Sequence, residues 1–367
     1  MLVLVGTYTE PILFGTGQVL QGKGEGIHAY RLDESTATLR PIATNSGIAN
    51  PSYLVFDASQ KYLYAVNELK RYEGQPTGAV SAFVVEGSTG RLALLNRQPT
   101  HGTDPCHVAV DRARAHLFVA NFMSGSVCVM AIRSDGSLSE PSDVVQHHGS
   151  SVDSRRQDGP HAHAVTLDPA ERRVLVPDLG LDKVMLYRFD PSRGKLEPNA
   201  VPSIATKPGA GPRHVVFHPN GRFVYLINEL DSTVAALAYE GGAGLLRHLQ
   251  TIGTLPGAFS GENTCADIHV HPSGRFVYAS NRGHDSIAIF RLDSDGGTLA
   301  LIGHEPTRGR TPRSLAIDPA GRFLIVANQD SDSLVTFRID SETGALRSKG
   351  EAAWAPTPVC VRFLAEK

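Results

Sequence analysis

Residues 211–229 read GPRHVVFHPNGRFVYLINE, and this stretch decides the fold. It contains two short apolar runs, rich in β-branched and aromatic residues, with a Pro-Asn-Gly turn between them. The same pattern occurs at five other places, which are residues 50–68, 104–122, 159–178, 264–282 and 311–329. A seventh, partial copy, PTPVCVRFLAEK, closes the chain. Internal repeats of this kind predict a solenoid or a propeller.

Each repeat contains four strand-like runs. From the end of the first run of one copy to the same point in the next, the spacing is 47 to 57 residues. In the fourth copy the runs are 214–218, 223–228, 233–239 and 245–251. No window shows a sustained 3.6-residue periodicity, so helices are not expected. Four antiparallel strands per repeat are typical of one propeller blade.

The two ends of the chain complete the ring of blades. The N-terminal segments LVLVGTY, GIHAYRL and TLRPIA correspond to the second, third and fourth strands of a blade, and the C-terminal VCVRFL supplies the first. Sharing this blade would remove exposed sheet edges. We therefore predict an all-β protein, a seven-bladed β-propeller that forms one domain over residues 1–367. Two separate β-sandwiches are the alternative, but they would not explain the uniform repeat.

Composition and charge exclude several classes of protein. The chain is 41% hydrophobic and 20% charged, and its net charge is -2, so it has no basic field for nucleic acid or an anionic membrane. Its four cysteines are scattered and do not suggest a disulfide framework. The N-terminal apolar run follows no basic segment, so we expect no signal peptide. We expect a cytoplasmic monomer or weak homodimer with no membrane or nucleic-acid partner.

Polar residues gather where the blades meet the mouth of the central channel. The first strand of a blade is innermost and the second is antiparallel to it. The start of the first strand and the end of the second strand therefore lie side by side. These positions hold Glu68, His107, His161, His163, Arg213, His214, Glu229, Asp267, Asn281 and Arg282. They predict a locally positive, titratable cleft. The polar segment 147–159 precedes the third copy, so Arg156 and Gln157 could fold over the mouth.

Each candidate has a catalytic and a structural interpretation. His163 could be a general base or acid, or its ring could simply bond a loop carbonyl. Arg213 and Arg282 could bind an anionic group and stabilise an oxyanion, or form ion pairs with Asp267 or Glu229. Glu229 could be a base or could orient Arg213.

A metal site is an alternative interpretation of the histidines at this place. His161 and His163 form an H-x-H pair, which also occurs in metal sites. The spacing marks no third ligand, and His214 is equally explained as lining of the mouth. We therefore expect no metal ion.

At these residues the chain resembles the 6-phosphogluconolactonase family of seven-bladed propellers, which also includes fungal-type carboxymuconate-cyclising enzymes. The matching segments are VGTYT, RQDGPHAHAV, GAGPRHVVFHP, VYLINEL, ADIHVHP and ASNR. They are distributed over the whole chain. The resemblance implies the same number of blades and a site formed by His163, Arg213, Glu229 and Arg282, with His161 beside them.

The resemblance also implies a function. We expect hydrolysis of a small anionic sugar-acid lactone, first of all 6-phosphoglucono-1,5-lactone, in the pentose phosphate pathway of carbohydrate metabolism. His107, His161, His214, Glu68, Asp267, Asn281, Arg156 and Gln157 are expected to bind substrate. No cofactor is expected, because a lactone ester is already activated. A carboxymuconate-type lactonising cycloisomerase and a non-enzymatic binding platform are the alternatives.

Overall fold

The computed structural model describes residues 1–348 and 353–364. Outside the described residues lie 349–352 and 365–367, and the second range is the end of the partial copy. The single domain over residues 1–367 stays a prediction. The strands are β1 (Leu2–Thr7), β2 (Ile12–Leu13), β3 (Val19–Leu20), β4 (Gly26–Asp33), β5 (Thr38–Ser46), β6 (Leu54–Phe56), β7 (Tyr62–Asn67), β8 (Ala79–Val85), β9 (Leu92–Pro99), β10 (Pro105–Val110), β11 (His116–Asn121), β12 (Ser126–Ile132), β13 (Leu138–Gln146), β14 (Thr166–Leu167), β15 (Arg173–Asp178), β16 (Lys183–Asp190), β17 (Lys195–Ala205), β18 (Pro212–Phe217), β19 (Phe223–Asn228), β20 (Thr233–Glu240), β21 (Leu245–Gly253), β22 (Thr264–Val270), β23 (Phe276–Arg282), β24 (Ser286–Leu292), β25 (Leu299–Pro306), β26 (Pro312–Ile317), β27 (Phe323–Asn328), β28 (Ser333–Ile339), β29 (Leu346–Ser348), β30 (Ala353–Trp354) and β31 (Pro358–Leu364).

Helical structure in the described residues is limited to two single turns of 3-10 helix, Gly87–Thr89 and Gln329–Ser331. No helix in this part of the chain has the length and the apolar run that crossing a bilayer would require.

Seven antiparallel sheets form the blades of a β-propeller. From the centre outwards, the strand orders are β31-β1-β4-β5 in the shared blade, then β6 to β9, β10 to β13, β14 to β17, β18 to β21, β22 to β25 and β26 to β29, with β30 beside β28. We number these the shared blade and the first to sixth blades. The predicted all-β, seven-bladed fold is confirmed.

The shared blade closes the ring, as the two ends of the sequence predict. Strand β31 pairs antiparallel with β1, so that Leu2 lies opposite Leu364 and Val5 lies opposite Val361. The first and last strands of the chain therefore hold each other, and β31 covers the edge of β1 that would otherwise be open.

The apolar core lies between the blades rather than within them. Among the described residues, seven clusters of buried side chains each join two neighbouring blades, and together they continue around the whole ring. Tyrosines reinforce these contacts across blades. The hydroxyl groups of Tyr64, Tyr225 and Tyr278 donate to the carbonyl oxygens of Gly136, Gly297 and Gly344. A buried tyrosine requires such a partner for its hydroxyl.

β-Bulges at the start of the inner strands give the mouth its shape. Pro212 lies opposite Asn228 but His214 lies opposite Ile227, so Arg213 is an extra residue in β18. The extra residues at the same place in three other blades are Cys106, Arg313 and the pair Ala266 and Asp267. A bulge re-aims its side chain and is frequent beside active sites.

The third blade departs from the predicted pattern. We predict that His161 and His163 begin a regular inner strand, but the pairing in β14 covers only Thr166–Leu167, and a single bridge joins Ala162 to Asp178. The His163 N–H donates to the Pro177 carbonyl at 3.0 Å, but Pro177 has no N–H to donate in return. The carboxylate of Asp178 accepts the backbone N–H of His161 at 2.7 Å. The prediction of a regular strand at these two histidines is therefore wrong, because Pro177 and the Asp178 side chain interrupt the pairing.

Candidate active site

The carboxylate of Glu229 receives three arginine side chains at the mouth of the channel. Its Oε1 atom lies 2.6 Å from Arg156 Nη2, and its Oε2 atom lies 2.9 Å from both Arg213 Nε and Arg282 Nη2. Burial alone would raise the pKa of Glu229, but Arg282, Arg156 and Arg213 outweigh it and hold that pKa well below its usual range. A carboxylate with three such partners is a weak proton acceptor, so its geometry suits the orientation of the arginines.

The three arginines keep hydrogen-bond donors that no protein group uses. Arg213 binds Glu229 through Nε, and its Nη1 donates to the carbonyl of Ala266 and to His214. The hydrogen bonds of Arg213 to described residues leave its Nη2 unused. Within residues 1–348 and 353–364, the Nε atoms of Arg156 and Arg282 are buried without a partner. Buried donors of this kind favour a ligand with oxygen acceptors.

His163 lies beside this carboxylate without a strong hydrogen bond to it. Its Nε2 atom is 3.9 Å from Glu229 Oε2, and its Nδ1 atom is 3.8 Å from Cys106 Sγ. Burial, and then the positive charge of Arg213, lower the pKa of His163 well below its usual value. The imidazole is therefore neutral near pH 7 and has a lone pair that can accept a proton.

A second carboxylate, Glu68, lies on the other side of the channel. The Tyr8 hydroxyl donates to Glu68 Oε2 at 3.1 Å and receives a hydrogen bond from Arg313 Nη2 at 2.9 Å. Burial raises the pKa of Glu68. The guanidinium of Arg313 also stacks on the rings of Tyr8 and Phe14, at 5.4 and 5.2 Å.

A small cavity separates the two carboxylate clusters. It has a volume of about 10 Å³, which is room for roughly one water molecule and too little for a lactone ring. It is lined by Ser52, Tyr53, Glu68, Cys106, His163, Arg213, His214, Asp267, Arg313, Ser314 and Val359. Arg313, Cys106 and Ser52 are not among the site residues predicted from the sequence. All three occupy the same repeat position as Arg213, directly after the proline, and this position was the available signal.

Two segments cover the mouth. Arg156, from the polar segment 147–159, reaches Glu229 as the sequence suggested. The turn between β2 and β3 lies against it, since a Cβ atom added at Gly15 would lie 3.6 Å from Arg156 Nε and 3.7 Å from Phe122. Gly180 allows the end of the polar segment to pass close to the third blade, because a Cβ there would lie 1.8 Å from the Gly159 carbonyl.

Two residues predicted to bind substrate do not face the mouth. Gln157 is fully buried, and its side-chain amide donates to the Leu179 carbonyl at 2.8 Å. Asn281 is also fully buried, with both ends of its amide bonded to Thr254. The asparagine that ends the second strand is bonded to a later Ser or Thr in several blades, at Asn121, Asn228, Asn281 and Asn328. It therefore ties strands together, and the structure does not support substrate binding by Gln157 or Asn281.

Three further candidates are held by protein partners. His107 accepts the Val165 N–H at 3.3 Å and packs against the Tyr53 ring at 4.1 Å. His214 and Asp267 line the small cavity with Arg213 and are bonded to each other at 3.0 Å. The contacts of these three side chains are with other protein groups, so direct contact with a substrate is not supported for them.

His161 lies at the side of the mouth. Its Nδ1 donates to the Phe122 carbonyl at 3.1 Å, and its ring stacks on that of Phe122 with centroids 4.7 Å apart. Within the described ranges, no three His, Cys, Asp or Glu side chains come together as metal ligands do.

The chain is similar to known proteins over almost its whole length. A family model described as a seven-bladed β-propeller lactonase matches residues 2–363. The 6-phosphogluconolactonase of Bacillus subtilis is 37% identical, over 98% of this chain and 97% of that protein. The 6-phosphogluconolactonase of Formosa agariphila is 35% identical, over 80% of this chain and 82% of that protein. Among solved structures, a periplasmic gluconolactonase of Pseudomonas aeruginosa superimposes with a TM-score of 0.91 at 35% identity, covering 100% of both chains.

Proposed function

Because the chain belongs to the lactonase family of seven-bladed β-propellers and is a lactone-hydrolysing enzyme, we propose that its substrate is an anionic sugar-acid lactone. The first candidate is 6-phosphoglucono-1,5-lactone, since the relatives from B. subtilis and F. agariphila are named for it. The product would be 6-phosphogluconate, which gives the enzyme a place in the pentose phosphate pathway.

The excess of positive charge at the mouth carries this proposal. Arg156, Arg213 and Arg282 surround Glu229, and Arg313 lies within the electrostatic reach of both Glu68 and Glu229. Four guanidinium groups against two carboxylates leave a local excess of two positive charges when both carboxylates are ionised. Such a site favours a substrate that carries a phosphate or carboxylate group.

The proposed reaction begins with attack of water on the lactone carbonyl carbon. His163 Nε2 takes a proton from the water as the new C–O bond forms, and the carbonyl oxygen becomes an oxyanion. The unused donors of Arg213 and Arg282 stabilise this charge. The ring C–O bond then breaks, and the leaving alkoxide takes the proton back from the imidazolium. General base catalysis contributes about 10²–10⁴-fold and an oxyanion donor about 10²–10³-fold.

The anionic substrate also helps His163 to act as a base. The adjacent Arg213 lowers the pKa of this histidine in the free enzyme, which makes it a weaker base. A bound phosphate or carboxylate would offset the arginine charges and let that pKa rise towards its usual value. Binding and proton transfer are therefore coupled through the same guanidinium groups.

The compartment and the oligomeric state belong to the proposal as well. We expect a cytoplasmic enzyme that is a monomer or a weak homodimer, and a phosphorylated substrate fits that compartment. The P. aeruginosa neighbour is described as periplasmic, so cell fractionation is the direct check.

A panel of substrates tests the proposed function. Purified protein is given phosphorylated and unphosphorylated sugar lactones and a carboxymuconate, and acid release or lactone formation is followed against spontaneous reaction. We expect the highest kcat/KM for the phosphorylated lactone. Preference for the carboxymuconate would favour the cycloisomerase, and no turnover of any compound would favour a binding platform.

A further inference from the structure

The ring of His214 lies between Arg213 and Asp267, beside the small cavity of the proposed site. Its Nε2 atom is 3.2 Å from Arg213 Nη1, and its Nδ1 atom is 3.0 Å from Asp267 Oδ1. A guanidinium group has only donors, so the Nε2 atom of His214 must be the acceptor. The proton of this neutral ring is therefore on Nδ1 and is donated to Asp267.

The protonation states support this arrangement. Burial, and then Arg213, lower the pKa of His214 to about 4, so the ring is neutral at pH 7. Burial alone would raise the pKa of Asp267, but its histidine partners, His269 first, hold it well below its usual range. A neutral imidazole thus lies between a fixed anion and a fixed cation.

Asp267 is held by groups from two blades. Its Oδ1 atom accepts the backbone N–H of Ile268 at 3.0 Å, and its Oδ2 atom accepts that of Leu315 at 2.9 Å. His269 Nε2 lies 3.2 Å from Oδ2. The carboxylate cannot turn without losing several hydrogen bonds, so it fixes the position of the His214 ring.

The β-bulge explains why Arg213 needs this support. Arg213 is the extra residue of its strand, so its direction is not set by regular pairing. Its side chain is held by Glu229 at Nε and by the Ala266 carbonyl and His214 at Nη1. These contacts leave Nη2 as the donor for substrate.

We infer that Asp267 and His214 act together as positioning residues for Arg213 in the lactone hydrolysis proposed above. Asp267 selects the Nδ1–H form of His214, and the resulting acceptor at Nε2 fixes the plane of the guanidinium. Neither residue touches the substrate. This role of Asp267 and His214 goes beyond that of a structural ion pair. Its effect on catalysis rests on the proposed function.

The substitution Asp267→Asn tests the inference with a small change of shape. The amide nitrogen of Asn would replace an acceptor of either the Ile268 N–H or the Leu315 N–H, so the side chain would shift and no longer hold His214 in the same place. Where that nitrogen faces His214 Nδ1, the ring proton would move to Nε2, and two donors would face each other at Arg213 Nη1. A misplacement of this kind costs about 10²-fold, so we expect kcat/KM for the lactone to fall by about 10–100-fold. The control is His248→Gln, at an exposed histidine on β21, and we expect less than about threefold change in kcat/KM.

Two measurements decide the matter. Nitrogen NMR of ¹⁵N-histidine-labelled protein, assigned with His214→Gln, should show the Nδ1–H form of His214 in the wild-type enzyme. In a double-mutant cycle, Asp267→Asn should have almost no effect on kcat/KM when Arg213 is already alanine. An Nε2–H form of His214 in the wild-type enzyme, or an Asp267→Asn loss of the same size with and without Arg213, would overturn the inference.

The NMR measurement needs no substrate and no variant beyond the one used for assignment, so it stands if Asp267→Asn fails to fold. It also separates the two proposals. If the enzyme hydrolyses none of the lactones, the proposed function fails, and the proton position on His214 still decides whether the hydrogen-bonded pair is correct.

Discussion

The Nε2 atom of His163 lies 3.9 Å from the Oε2 atom of Glu229, which is beyond hydrogen-bond distance. Glu229 therefore does not hold the imidazole as the carboxylate of a catalytic triad does. The same oxygen lies 2.9 Å from Arg213 and from Arg282. We propose that Glu229 orients the arginines, and that His163 is the better candidate for the general base.

Replacement of His163 by alanine tests this division of roles. Removal of the base should lower kcat for the lactone by about 10²–10⁴-fold, while KM changes little because the arginines remain. The matched control is His248→Gln, because His248 is an exposed histidine on β21, and its kinetics should equal those of the wild-type enzyme. Equal kcat in the wild-type and His163→Ala enzymes would remove His163 from the mechanism.

The pH profile of the free enzyme gives a second prediction. Burial and Arg213 lower the pKa of His163 in the folded protein. Because the base must be neutral, kcat/KM should stay constant through pH 6.5 and fall only at more acidic pH. In Arg213→Ala the neighbouring charge is gone, so the inflection of the residual activity should move upwards. An inflection at or above pH 7 in the wild-type enzyme would contradict this assignment.

Glu229→Gln should destabilise the protein and increase its response to anions. Without the carboxylate, three guanidinium groups face one another, and loss of one partner of a buried ion pair costs about 3–5 kcal/mol. Thermal unfolding should show a lower Tm, and inorganic phosphate should raise the Tm of the variant more than that of the wild-type protein. Glu197→Gln is the control, since Glu197 pairs with Arg188 at the exposed outer edge of the third blade. A variant as stable as the wild-type protein would show that Glu229 does not hold the arginines.

Most of the fold could be predicted because the sequence repeat indicates the number of blades and the strands in each blade. The strand Phe223–Asn228 is bounded as the sequence indicates, and VCVRFL pairs with the N-terminal strand as expected. The third blade could not be predicted in the same way. Its inner strand is reduced to a bridge at Ala162, because Pro177 has no N–H to donate and the Asp178 side chain binds the backbone of His161. The strand pattern carries no signal for such a side-chain contact.

The residues of the candidate site could be predicted, because they differ between blades at the start of the first strand and the end of the second. Arg213, Arg282, Glu229 and His163 do lie together. The partners of each side chain could not be predicted. His214 and Asp267 line the cavity beside Arg213 and bind each other across two blades, and the repeat pattern carries no signal for that contact.

The most direct test of the account is the kinetics of Arg213→Ala with 6-phosphoglucono-1,5-lactone, measured beside the wild-type enzyme. The control is Arg222→Ala, an exposed arginine of the same repeat that stacks on Phe223 away from the mouth. We predict that kcat/KM falls by at least about 30-fold in Arg213→Ala, which corresponds to more than ~2 kcal/mol of lost transition-state stabilisation, and is unchanged in Arg222→Ala. An unchanged kcat/KM in Arg213→Ala would contradict the assignment of this mouth as the active site.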